Sequence, residues 1–119
     1  HTVKIEFDGK EDYAFDHFRQ VVPVKENTQY RFSSDIKTAD ITTRNGVYWE
    51  TFCLHKKGMY KTSASTYGTT DWHRVGFSFI TTADCDSIML KLKRDKSDIY
   101  DRPFSGTIWI DNVVLEEEN

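Results

Sequence analysis

Residues 68–81 have the sequence GTTDWHRVGFSFIT, and the second half of this stretch alternates between apolar and polar residues. The apolar positions are Val75, Phe77 and Phe79. A period of two places successive side chains on opposite faces, which is typical of a β-strand with one face in a core. The stretch therefore predicts a half-buried strand.

The same period recurs in both directions along the chain. Together with 74–79, the patterned segments are residues 3–7, 17–24, 30–37, 47–55, 59–65, 88–93 and 107–111. No segment of ten residues has helical spacing. Eight such strands without helices indicate an all-β fold, a two-sheet antiparallel β-sandwich of the jelly-roll type with about eight strands. The apolar positions predict a core of Tyr30, Phe32, Ile36, Val75, Phe77, Phe79, Leu90, Leu92, Ile108 and Ile110.

Composition and charge argue against several classes of function. A chain of 119 residues fits one domain, residues 1–119, and a net charge of −3 without a long basic run argues against nucleic-acid binding. No apolar run reaches transmembrane length, so we expect no membrane insertion. The chain begins at His1 inside a strand-like pattern, and we interpret it as a domain excised from a longer protein.

The two cysteines give no metal-binding motif. Cys53 and Cys85 lie 32 residues apart, without the close pairing of a CxxC site. A disulfide between them is one interpretation, and two free thiols are the one that we expect.

Three segments resemble one known family. They are residues 19–24 followed by 30–32, residues 68–75 followed by Phe77 and Phe79, and the closing strand at 106–115, GTIWIDNVVL. In this order they resemble the galactose-binding-like jelly-roll carbohydrate-binding modules. The resemblance implies a non-catalytic, bacterial module appended to a larger protein, located outside the cytoplasm or at the cell surface. It implies poly- or oligosaccharide as ligand, and neighbouring domains of the parent protein as partners.

The resemblance also implies a structural calcium ion and two packing tryptophans. In such modules the Asp of the closing strand, here Asp111, helps to hold calcium with ligands from near the N-terminus. This sequence lacks the additional first strand of the family, and the other interpretation is that Asp111 caps backbone amides. Trp72 and Trp109 lie in the structural segments, so we expect both to pack internally.

The candidate ligand-binding residues follow from alternation and from the resemblance. They are Tyr13, Gln20, Tyr48, Glu50, Lys91 and Lys93. If Trp49 and Thr51 point inward, Tyr48 and Glu50 point outward, whereas a slip of one residue would exchange Tyr48 for Trp49. Aromatic planes suit the C–H face of a sugar, and its hydroxyls need polar partners. We therefore predict a glycan site on the concave sheet face.

Other interpretations of these residues remain open. Tyr48 could be an ordinary sheet residue, and Gln20 could be a buried amide. Lys91 and Lys93 are also typical of a solvated strand face. Glu50 and Asp16 could meet across strands, but nothing in the sequence favours the protonated carboxyl that a glycosidase needs. We therefore expect no catalysis. The alternative function is a structural or protein-interaction sandwich that packs on a neighbouring domain or a second copy, with an exposed apolar patch.

Overall fold

The computed structural model describes residues 2–8, 15–41, 46–55, 58–94 and 105–118. Its strands are β1 Val3–Asp8, β2 Phe15–Pro23, β3 Gln29–Ile41, β4 Tyr48–Cys53, β5 Tyr60–Thr62, β6 Gly68–Ile80, β7 Ser87–Arg94 and β8 Ser105–Glu117. Within these described ranges, no helix has the length and apolar character needed to cross a membrane.

The strands form two antiparallel sheets of four. The first sheet has the order β1-β8-β3-β6 and the second has the order β2-β7-β4-β5. Because β1, β3, β6 and β8 belong to one sheet and the segments between them to the other, the chain passes repeatedly from sheet to sheet. This arrangement confirms the predicted eight-stranded jelly-roll sandwich.

The core lies between the inner faces of the two sheets. Of the ten predicted core residues, eight are buried, while Val75 and Phe77 are partly buried and pack against the same cluster. Phe32 is fully buried, and its ring centroid lies 5.0 Å from that of Trp49 on the opposite sheet, in an edge-on arrangement. Buried aromatic pairs of this kind dominate core energetics. The inward orientation of Trp49 confirms the predicted register of β4.

A disulfide joins Cys53 to Cys85, so the expectation of two free thiols is wrong. The Cα atoms of the two cysteines are 5.7 Å apart. The reason is strand pairing: Cys53 lies opposite Ile88 in the β4–β7 ladder, and Cys85 is in the turn that leads into β7. Antiparallel pairing thus brings together two residues that are far apart in sequence.

The expectation that Trp72 and Trp109 pack internally is wrong. Trp109 lies between Lys4 and Lys37 in the strand ladders, on the outer face of the first sheet, with the two ammonium groups 5.8 and 5.4 Å from its ring centroid. Trp72 is 42% exposed. It falls in an irregularity between the pairs Ile36–His73 and Thr38–Thr70, which turns the side chain towards solvent.

Candidate functional site

Four of the predicted site residues lie together on the outer face of the second sheet. Tyr48 is directly opposite Lys93, and Glu50 is directly opposite Lys91. Directly opposed residues of an antiparallel pair project to the same side. Their neighbours in sequence, such as Trp49, are buried on the other side. The sheet therefore gathers two cations, a carboxylate and a phenol ring on one surface.

Glu50 is the buried member of this group. The residue is 5% exposed, and its Oε2 has no hydrogen-bond partner among the described residues. The ammonium of Lys93 lies 3.8 Å from this oxygen, which is an ion pair beyond hydrogen-bond distance. A carboxylate taken out of water requires such compensation. The Lys93 ammonium therefore partly compensates the charge of the buried Glu50 carboxylate.

Beside the charged residues, an apolar row crosses all four strands. It consists of Val21, Met89, Phe52 and Tyr60, each directly opposite the next. Val21 is 49% exposed and Tyr60 is 59% exposed. The Lys91 ammonium lies 5.4 Å from the centroid of the Phe52 ring, within the range of a cation–π contact. An apolar row and a charged row therefore lie side by side on this face.

Sequence reasoning missed Tyr60 and Arg19. The three-residue strand β5 is too short to show alternation, although the Lys57-Gly58 turn predicts a hairpin that would bring the following Tyr60 beside β4. Arg19 lies directly opposite Lys91 and extends the charged row to the sheet edge. The sequence feature that could have pointed to Arg19 is its position next to Gln20, which was itself a predicted site residue.

The structure separates Gln20 from the other predicted residues. Gln20 lies opposite Leu90, which is buried, so its side chain is on the inner side of the sheet. There Gln20 is still exposed to solvent, and it lines a half-open pocket of about 350 Å³ with Phe18, Trp49, Leu90 and Val113. Tyr13 lies outside the described residues, and its role stays a prediction.

Asp111 has the local partners of a capping residue. Its Oδ1 accepts a hydrogen bond of 2.8 Å from the backbone N–H of Asn112, and its Oδ2 accepts one of 3.0 Å from the Thr2 hydroxyl. These bonds, chiefly that from Asn112, hold the pKa of Asp111 below its ordinary value. Calcium takes six to eight oxygen ligands. In the described part of the chain no cluster of three metal-ligating side chains occurs, so calcium at Asp111 stays a prediction without a supporting donor set.

Solved structures share this jelly-roll fold. A structure described as family 16 carbohydrate-binding module 2 superposes with a TM-score of 0.63 at 21% identity, over 96% of this chain and 74% of that one. A family 4 carbohydrate-binding module superposes with a TM-score of 0.58 at 16% identity, over 84% of this chain. This chain spans 59% of the length of that module.

A protein with a different description has the same fold. The Stig cyclase Fisc from Fischerella sp. TAU, solved in complex with an indole compound, superposes with a TM-score of 0.54 at 18% identity, over 84% of this chain and 55% of that one. No protein-family model matches the sequence, and no curated protein sequence matches it significantly. At these identities the likeness establishes a carbohydrate-binding-module-like jelly roll as the fold.

Proposed function

We propose that this chain is a non-catalytic carbohydrate-binding module that binds a glycan on the outer face of the second sheet. The observation that supports this most directly is the apolar row ending at Tyr60, which runs beside a charged row containing Lys91 and Glu50. A sugar has an apolar C–H face and a rim of hydroxyls. A surface that offers rings and charged hydrogen-bonding groups in adjacent rows is suited to both.

Each kind of residue has a distinct role in this proposal. Tyr48, Phe52 and Tyr60 provide planes on which sugar rings stack, and Lys91 and Lys93 donate hydrogen bonds to ring substituents. The four strands of the sheet span roughly 14 Å at a spacing of about 4.8 Å. That width accommodates an extended oligosaccharide better than a single sugar.

The carboxylate content of the face argues for binding without hydrolysis. Glycosidases use two carboxyl groups on either side of the bond that they cleave. Among the described residues of this face, Glu50 is the one carboxylate, and it is held by Lys93 at 3.8 Å. The two structures of similar fold that are named as carbohydrate-binding modules are consistent with this proposal.

The Cys53–Cys85 disulfide favours an extracytoplasmic location, as the resemblance implied. Disulfides form and persist in oxidising compartments and are rare in the cytosol. A module that binds polysaccharide outside the cell would act by holding the neighbouring domains of its parent protein near that polymer.

The test is a glycan array followed by titration calorimetry on any glycan that binds. Tyr48→Ala removes a stacking plane worth on the order of 1 kcal/mol, so affinity should fall about fivefold. Tyr48→Phe keeps the ring and should retain most of the affinity, which separates stacking from any effect of the alanine variant on folding. Trp72→Ala is the matched control, because Trp72 is an exposed aromatic residue on the other sheet. If Trp72→Ala loses binding and Tyr48→Ala does not, the site lies on the first sheet and the proposed face is wrong.

A further inference from the structure

The two most exposed large apolar residues in the described part of the chain line one pocket. Ile80 is 61% exposed and Tyr60 is 59% exposed. They belong to different sheets, because Tyr60 begins β5 and Ile80 ends β6. The half-open pocket that they share has a volume of about 370 Å³, and Gln29 and Lys61 also line it. That volume is in the range of small-ligand sites, and an exposed apolar patch with a polar rim is typical of a binding surface.

The groups around this pocket match the two kinds of surface on a sugar. Both strands that border it are edge strands, β5 of the second sheet and β6 of the first. An edge strand presents backbone N–H and C=O groups on its outer side. Together with the exposed side chains of Gln29 and Lys61, these groups offer donors and acceptors to hydroxyls. Tyr60 and Ile80 offer apolar contact to the C–H face of a ring.

Tyr60 joins the pocket to the proposed glycan face. It lies directly opposite Phe52, so it is the last residue of the apolar row that crosses the second sheet, and it also lines the pocket. We propose that a neutral glycan on this face continues over β5 into the pocket, where at least one further sugar lies between Tyr60 and Ile80. The glycan is neutral because Lys61 is the one charged residue in the described lining. This inference rests on the proposed function, and it assigns a specificity-determining role to Ile80.

The length of the glycan tests the pocket. The sheet face is roughly 14 Å wide, which corresponds to about three sugar rings, so a trisaccharide fits on the face and a hexasaccharide also reaches the pocket. The probes are the cello-, xylo-, manno-, galacto-, malto- and laminari-oligosaccharides, each as its trisaccharide and its hexasaccharide. In a series that binds, titration calorimetry should give an affinity for the hexasaccharide that is at least about tenfold higher. A longer chain also binds the face in more registers, so substitutions must place the gain at the pocket.

Substitutions of Ile80 locate the effect. Ile80→Ser removes the apolar wall and should weaken hexasaccharide binding about fivefold, while the affinity for the trisaccharide stays the same. Its Tm should change little, because the side chain is largely exposed. Ile80→Leu keeps the apolar contact and should retain most of the affinity. Val114→Ser is the matched control: Val114 is an exposed β-branched residue of the first sheet outside the pocket, and its substitution should leave both affinities unchanged.

The outcomes separate this inference from the proposed function. Equal affinity for the trisaccharide and the hexasaccharide, or an unchanged hexasaccharide affinity in Ile80→Ser, overturns the pocket and leaves carbohydrate binding on the sheet face standing. If no oligosaccharide of the six series binds, this inference is overturned as well, and the glycan array decides separately on the proposed function.

Discussion

Reduction of the Cys53–Cys85 disulfide should lower the melting temperature of the domain substantially. The bond joins residues separated by 32 positions. In the chain-entropy description, opening a loop of that length stabilises the unfolded state by about 3.7 kcal/mol at 25 °C. A chain of 119 residues has an unfolding entropy of about 0.25 kcal/mol/K. The expected decrease in Tm is therefore about 15 °C.

Calorimetric melts of the oxidised protein, with and without a phosphine reductant, measure this decrease. The double variant Cys53→Ala/Cys85→Ala is the control, because its Tm should not respond to the reductant. That variant should melt below the reduced wild type, since both sulfur atoms are buried and their removal leaves a void in the cluster around Phe79. Mass spectrometry establishes the redox state of each sample. Equal melts of samples shown to be oxidised and reduced would refute the reasoning, as would two free thiols in the native protein.

Two further predictions concern the first sheet. Gly76→Ala should destabilise the domain by about 2 kcal/mol or more in urea unfolding, because the new Cβ would lie 2.2 Å from the backbone oxygen of Phe32. Gly68→Ala meets no atom within 4 Å and should cost only about 1 kcal/mol, for its φ of +73°; a larger loss in Gly68→Ala than in Gly76→Ala would contradict the pairing of β3 with β6. Hydrogen bonds from Asn112 and Arg74 hold the pKa of Asp35 below 3.8, so its contribution to stability is present above that pH and is lost as the pH falls through the lowered pKa. Asp35→Asn should therefore flatten the acid limb of the stability curve, and an identical acid limb in both proteins would rule out this contribution.

The strands and the core could be predicted because alternation is a local property of the sequence. Phe32 and Ile108 are buried as their patterns indicated. The orientation of β4 was open in the sequence, because Tyr48 and Trp49 are both aromatic, and the burial of Trp49 confirms the orientation that places Tyr48 on the outer face. Alternation also predicts that Tyr48 and Lys93 face outward, and the pairing of β4 with β7 places them directly opposite each other.

What the sequence could not provide is which strands pair and where a ladder is irregular. The disulfide depends on the β4–β7 pairing, and Trp72 is exposed by an irregularity that no local pattern marks. Gln20 was a candidate because of the family resemblance, and its pairing with Leu90 places it on the opposite side of the edge strand β2 from Tyr48 and Lys93. Position in the sheet, and not residue type, decided its surroundings.

The measurement that tests the central claim most directly is an amide chemical-shift map of the ¹⁵N-labelled domain during titration with the best ligand from the array. Binding on the outer face of the second sheet predicts that the largest shifts fall in β4 and β7, at Tyr48–Phe52 and Met89–Lys93, and in Tyr60. The chemical shifts of the amides around Trp72 and Trp109 should not change. Shifts confined to the first sheet around these two tryptophans, with β4 and β7 unchanged, would contradict the account.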